Sequence, residues 1–253
     1  MRKFQKDFLS AQSSSDKFYH HGYQRIYPWF LNNLKNENVN VLEIGIDKTE
    51  SLKFWKGYFK NVNLHGIDID PNDFHDKSVK IYRVDQSKEK ELENFIEEVG
   101  VKFDIILDDG SHVPMHQITT IEKLWRALEP SGVYIIEDIE TSYWGKSKIY
   151  GYKFNSNKYN ILGDFESLID VINSEFSKKK SPNNHLNNIA NEVEMVTFAY
   201  NSIILVKKDY DNFSSFYDRD YRFEELKNYR TIYKRLQRIV KKIRKYLNKK
   251  FRS

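Results

Sequence analysis

The 253-residue chain contains no cysteine. Disulfides, thiolate metal sites and a cysteine nucleophile are thereby excluded, and the composition suits a reducing compartment. Proline is scarce at 5 residues and glycine at 10, so the chain is neither collagenous nor Pro/Gly-rich disordered. No apolar run approaches the ~20 residues that cross a bilayer. The opening MRKFQKDFLS lacks the apolar stretch of a secretory signal, and a cytoplasmic location is expected. Acidic residues are missing from Arg230 to Ser253, where 11 Lys and Arg occur. Without those 11 the net charge of +5 becomes −6 for residues 1–229: a mildly acidic body carries a basic tail. What is abundant is aromatic, with 17 Tyr and 17 Phe, and apolar residues make up 40% of the chain. That is enough for one α/β domain with a good core.

Short apolar runs alternate with helical patterns. Strands are predicted at Val39–Gly45, Val62–Asp70, Val79–Val84, Phe103–Asp108 and Val133–Ile136. Helices are expected over about Ser51–Phe59, Lys88–Val99, the stretch after Gln117 to Leu128, and Phe165–Phe176. Glu129-Pro130-Ser131-Gly132 reads as a turn, and residues 145–160 and 178–188 as loops. Val193–Tyr200 and Ser202–Val206 are too close for a crossover and should pair antiparallel. Residues 1–22 are polar and read as irregular. Arg25–Leu31 is an aromatic, helix-like segment, and with His20 and His21 it either lines a pocket or packs on the sheet. Three segments result: a cap over 1–38, an α/β domain over 39–210, and a basic tail over 211–253.

The chain is organised around FDIILDDGSH, Phe103 to His112. A buried strand there ends in two carboxylates, a turn-forming Gly, a Ser and a His. Open α/β sheets bind ligands at the C-terminal ends of their strands. Taken alone, the stretch also reads as a strand with an acidic surface turn. Two more strand ends carry acids: Asp68, 23 residues after Gly45, and Glu137-Asp138. An acid ending the second strand is placed to bond ribose hydroxyls. Carboxylates crowded at one edge repel unless a cation offsets them. A hard divalent ion such as Mg²⁺ takes oxygen ligands, and Asp109, Glu137 and Asp138 offer three, with His112 in reach. His116 and Gln117 read as braces of the turn, and Tyr143 and Trp144 as an apolar wall.

VLEIG, GIDIDP, VDQS, FDIILDDGSHVPMHQ and YIIEDIETSYW, in this order, resemble the sugar O-methyltransferases of macrolide pathways, the mycinamicin and tylosin type. They also resemble relatives from bacterial surface-polysaccharide clusters. DKFYHHGYQRIYPWF is similar to that family's segment before the first strand. The resemblance implies a Rossmann-like class I methyltransferase fold, a mostly parallel seven-stranded sheet ending in an antiparallel hairpin, with helices on both faces. It implies S-adenosylmethionine and Mg²⁺ as cofactors. Asp109, Glu137 and Asp138 match the family's Mg²⁺ ligands and His112 its general base. Glu43, Gly45, Asp68, Asp85, Gln86 and Asp109 match cofactor-binding positions. The family has a further Gly in the first loop, where this chain reads Asp47-Lys48-Thr49-Glu50.

The implied reaction is O-methylation of a sugar hydroxyl on a nucleotide-linked or polysaccharide precursor. A phosphate or phosphoramidate oxygen of a capsule precursor is an alternative acceptor. A third reading is a non-catalytic cofactor-binding or RNA-associated protein, although no base-stacking or groove-reading motif accompanies the basic tail. In that tail Leu226, Ile232, Leu236, Ile239, Ile243 and Leu247 recur mostly at steps of three and four among Lys and Arg. This predicts a basic amphipathic helix. Its apolar stripe faces the body, a second copy in a homo-oligomer, or an anionic membrane surface.

Overall fold

The structure is a computed structural model that describes residues 3–9, 15–47, 49–71, 78–144, 149–150, 161–174, 185–209 and 231–241. Met1–Asp209 forms one compact unit and Tyr210–Ser253 a second.

In the first unit seven strands form one sheet in the order β3-β2-β1-β4-β5-β7-β6. They are β1 (Asn38–Ile44), β2 (Asn61–Asp68), β3 (Val79–Arg83), β4 (Phe103–Asp108), β5 (Leu128–Glu137), β6 (Val193–Ala199) and β7 (Ser202–Lys207). β1 through β5 pair in parallel, and β7 runs antiparallel to both β5 and β6. Central parallel strands are covered on both faces, which is why β1 and β4 read as near-continuous apolar runs. Alternate side chains feed two cores. One holds Leu42, Ile106 and Ile136 beneath α5 (Glu89–Val99), α6 (Pro114–Leu124) and α7 (Ile161–Ile172). The other holds Val41, Ile105 and Ile135 under α4 (Glu50–Tyr58) and the N-terminal segment.

Local chemistry sets the boundaries. α5 buries Leu92, Phe95 and Val99 and stops at Gly100, whose φ of +64° suits a helix C-terminal residue. α6 starts on Pro114, where the missing N–H costs nothing. Two expectations change. The Glu129–Gly132 turn lies within β5 as an outward irregularity: Phe103 pairs with Leu128 but Ile105 with Val133. The helix expected from Phe165 begins earlier, at Ile161, because Ile161 and Leu162 already join the core. Most of the loops expected at 145–160 and 178–188 lies outside the described residues.

Residues 1–22 are not irregular throughout. α1 (Lys3–Leu9) is a helix, followed by α2 (Asp16–Tyr19) and α3 (Pro28–Leu31). The reason is tertiary. Phe8 is fully buried, its ring 4.5–6.5 Å from those of Phe18, Tyr27, Phe54, Trp55 and Tyr58. Aromatic burial of this size overrides a weak local helix preference. The aromatic segment packs on the sheet: Tyr23, Tyr27 and Leu31 lie in the core, with the two tyrosine hydroxyls on acids of the sheet edge, while His20 and His21 line a cavity.

In the second unit residues 231–241 are helical. Ile232, Tyr233, Leu236, Ile239 and Val240 are exposed on it. The rest of the predicted tail helix lies outside the described residues. No described helix is long and apolar enough to cross a membrane.

Candidate active site

The ends of β1, β2, β4 and β5 converge, as a parallel sheet requires. After β1, Gly45 adopts φ +80°, and a Cβ there would lie 2.3 Å from the carbonyl oxygen of Asp109. Only glycine lets the β1 and β4 loops approach this closely. Where the resembling family has a further Gly, Asp47 and Thr49 take φ of 30° and 63°. These left-handed conformations are uncommon for residues with a Cβ. At the end of β2 Asp68 fixes the first loop: its Oδ2 accepts from Ile46 N at 3.0 Å and its Oδ1 from Asp70 N at 2.8 Å. A carboxylate has about four acceptor positions, so two remain for a ligand. After β3, Asp85 Oδ1 accepts from the Ser87 amide and hydroxyl at 2.9 and 2.6 Å.

These loops enclose a cavity of about 690 Å³ lined by Gly45, Asp68, Asp85, Gln86, His112 and Asp138, among others. The volume lies within the roughly 300–1,000 Å³ of small-molecule sites. Gln86 shapes it indirectly. Its Oε1 accepts from Ser111 N at 2.6 Å and its Nε2 donates to Asp108 Oδ1 at 3.2 Å, so it holds the β4 turn. A Cβ on Gly110 would fall 1.9 Å from that Oε1. Burial pushes the Asp108 carboxyl up to about 7. His116 and Gln117 are braces as expected: His116 Nδ1 bonds Ser111 Oγ at 2.8 Å, and Gln117 Nε2 donates to the Glu137 carbonyl at 2.9 Å.

Two acidic groups lie side by side. In the first, ligand atoms of Asp109, His112 and Asp138 all fall within 4.8 Å of one another, with His112 Nε2 3.7 Å from Asp138 Oδ2. His112 sits at φ 54°, and its buried Nδ1 has no partner among the described residues. Asp138, also left-handed at φ 54°, accepts on Oδ1 from Tyr23 Oη at 2.7 Å and Asn201 Nδ2 at 2.9 Å, with His21 Nδ1 at 3.1 Å. In the second group the buried Lys17 donates to Asp109 Oδ2 and to Glu137 Oε2, the latter at 2.8 Å, and lies 3.2 Å from Glu43 Oε1. Tyr27 Oη donates to Glu137 Oε1 at 2.5 Å. Burial raises the Glu43, Glu137 and Asp138 carboxyls above the usual range, and Asp109 adds to the rise at each. Burial opposes the Lys17 charge, but Asp109, Glu137 and Glu43 outweigh it and hold the ammonium well above its ordinary value.

The structure therefore separates the predicted residues by environment. Gly45, Asp68, Asp85, Gln86, Asp109, His112 and Asp138 border the cavity. Glu43 and Glu137 do not line it, and each is tied to Lys17. Glu43 also accepts from Ser51 Oγ at 2.8 Å. Lys17, Tyr23, Tyr27 and Asn201 were not singled out as site residues. The pair Tyr23 and Tyr27, four residues apart before an acidic sheet edge, was the available signal.

A second cavity, about 460 Å³, is lined by His20, His21, Glu140, Tyr143, Tyr200 and Asn201, among others. Tyr143 is 56% and Tyr200 68% exposed, while Glu140 Oε2 is buried without a hydrogen-bond partner among the described residues.

Parallel β/α units closed by an antiparallel hairpin, with acids along the C-terminal edge, define a class I methyltransferase fold. No family model matches the chain. Within that class it is similar to 8-demethyl-8-α-L-rhamnosyl tetracenomycin-C 2′-O-methyltransferase of Streptomyces olivaceus, 33% identical over 144 residues, 54% of this chain and 38% of that one. Mycinamicin VI 2″-O-methyltransferase of Micromonospora griseorubida is 31% identical over 175 residues, 65% of this chain and 43% of its own. The solved structure of the MycE methyltransferase from mycinamycin biosynthesis, in complex with Mg and SAH, superposes with a TM-score of 0.69 at 25% identity, over 83% of this chain and 55% of that one. The chain thus spans about two fifths of the length of these curated relatives, 38% and 43%.

Proposed function

We propose that this chain is an S-adenosylmethionine- and Mg²⁺-dependent O-methyltransferase acting on a sugar hydroxyl. One observation carries the reading: a nucleotide-sized cavity and the Asp109–His112–Asp138 cluster share one sheet edge. The residues fit both groups. Asp68 keeps acceptor capacity for ribose hydroxyls, and Asp85 and Gln86 line the same cavity. Asp109 and Asp138 offer oxygens suited to Mg²⁺, and Glu137 completes the ligand set implied by the resemblance if Lys17 and Tyr27 share it. When bound, S-adenosylmethionine supplies the methyl group, and Mg²⁺ lowers the pKa of a coordinated hydroxyl. His112 takes the hydroxyl proton on an imidazole nitrogen, with Asp138 Oδ2 3.7 Å from its Nε2.

The second cavity supports a sugar over a phosphate. Tyrosine faces suit the C–H face of a pyranose, while the buried Glu140 carboxylate accepts a hydroxyl and repels an anion. The names of the relatives point the same way. The finer acceptor we propose is a nucleotide-linked or capsule-polysaccharide precursor, met in the cytoplasm. For the second unit we propose peripheral attachment to an anionic membrane surface, where exposed apolar side chains alternate with Lys and Arg on residues 231–241.

The test supplies labelled S-adenosylmethionine, Mg²⁺ and a panel of nucleotide sugars and capsule intermediates. Transfer to a hydroxyl should stop in EDTA and return with Mg²⁺. H112A should lose roughly 10²–10⁴-fold in turnover, the range for a general base. Full activity in EDTA would remove the metal, and a near-normal H112A rate would remove the base.

A further inference from the structure

We infer that Lys17 is a built-in counter-cation of the acidic edge: it holds one oxygen each of Asp109 and Glu137 and so competes with a divalent metal for them. This rests on the metal-dependent reading above. Lys17 is only 2% exposed, an unusual place for a lysine. It approaches three carboxylates from three strand ends, Glu43 of β1, Asp109 after β4 and Glu137 of β5. Both oxygens of Glu137 are already engaged, one by Tyr27 and the other by Lys17, so a metal would have to share either with them. Asp109 belongs both to this group and to the cluster with His112 and Asp138.

Charge explains why such a group would be kept. Glu43, Asp109, Glu137 and Asp138 carry four negative charges when ionised, and Lys17 offsets one. A divalent ion and a sulfonium balance the remaining three. Without a metal the acids would repel one another, and Lys17 holds them together in its place. With a metal, the same ammonium is a like charge close by and weakens its hold. The acids are thus preassembled while the metal stays exchangeable.

Mn²⁺ binding to the full chain, followed by electron paramagnetic resonance, tests the competition. Loss of one nearby positive charge should make K17Q bind Mn²⁺ about tenfold more tightly or better. K17R, which keeps the charge, should stay within about threefold of the wild type on the same electrostatic argument. In EDTA K17Q should melt lower than the wild type, and Mn²⁺ should raise its melting temperature by more. A purely structural lysine would lower the melting temperature and leave Mn²⁺ affinity unmoved, which would overturn the inference, as would weaker binding by K17Q. Should K17Q fail to fold, the wild type decides. Mg²⁺ should shift the ¹⁵N-labelled Lys17 ammonium resonance, and an unmoved resonance at saturation overturns the competition. Cofactor calorimetry and methyl transfer judge the proposed activity separately, whatever Lys17 does.

Discussion

Asp68 shows how one side chain can fix a loop and still border a cavity. Its two oxygens tie down the Ile46 and Asp70 amides, and the residue lines the larger cavity. D68N keeps the shape and one acceptor oxygen but loses the charge. Calorimetry should show S-adenosylmethionine or its demethylated product binding to D68N about 1–3 kcal/mol more weakly, the loss of a charge-assisted hydrogen bond. Unchanged affinity with an unchanged melting temperature would take Asp68 out of the site. The place of Asp68 at the cavity edge was legible in the sequence, because an acid ending the second strand of such a sheet sits at the ligand-binding edge. Lys17 was not. In DKFYHHGY it looks like a solvated lysine, and its burial depends on acids 92 and 120 residues away that no local pattern links to it.

Among the elements, the sheet was readable and the N-terminal helices were not, for one physical reason. β1 and β4 are buried on both faces and declare themselves as apolar runs such as VNVLEI and FDIILD. The antiparallel close was legible too, because only Tyr200 and Asn201 separate β6 from β7, and Asn201 tolerates its φ of 53°. α1 has 7 residues, KFQKDFL, too few to be stable by its own propensity. Only the aromatic nest around Phe8 makes it a helix. F8A should therefore cost about 3–5 kcal/mol in urea unfolding, the usual price of emptying a buried aromatic site. A loss below about 0.5 kcal/mol, the scale of an ordinary surface change, would show that α1 does not hold that position.

At the scale of the whole molecule, the charge is divided between an acidic body and a basic end, and each half asks for a different partner. The first unit is complete as a sheet with both faces covered. On residues 231–241 of the second unit, Ile232, Leu236 and Ile239 are each more than half exposed. Each basic residue near an anionic bilayer adds on the order of 1 kcal/mol of attraction. The full chain should sediment with phosphatidylserine-containing liposomes and be released by salt, while a chain ending at Asp209 should stay in the supernatant. Equal behaviour of the two, retained or free, would assign the apolar stripe to protein packing instead.

The tyrosine pair has a consequence for how such a site can change over time. Tyr23 and Tyr27 stack at 5.0 Å between ring centres, with their rings in the aromatic core and their hydroxyls on Asp138 and Glu137. The acids that would serve chemistry are therefore also the anchors of the first thirty or so residues. Replacing Glu137 or Asp138 to alter metal preference would loosen the N-terminal wall along with the metal. A lineage exploring new acceptors is freer at Tyr143, which lines the second cavity and is more than half exposed.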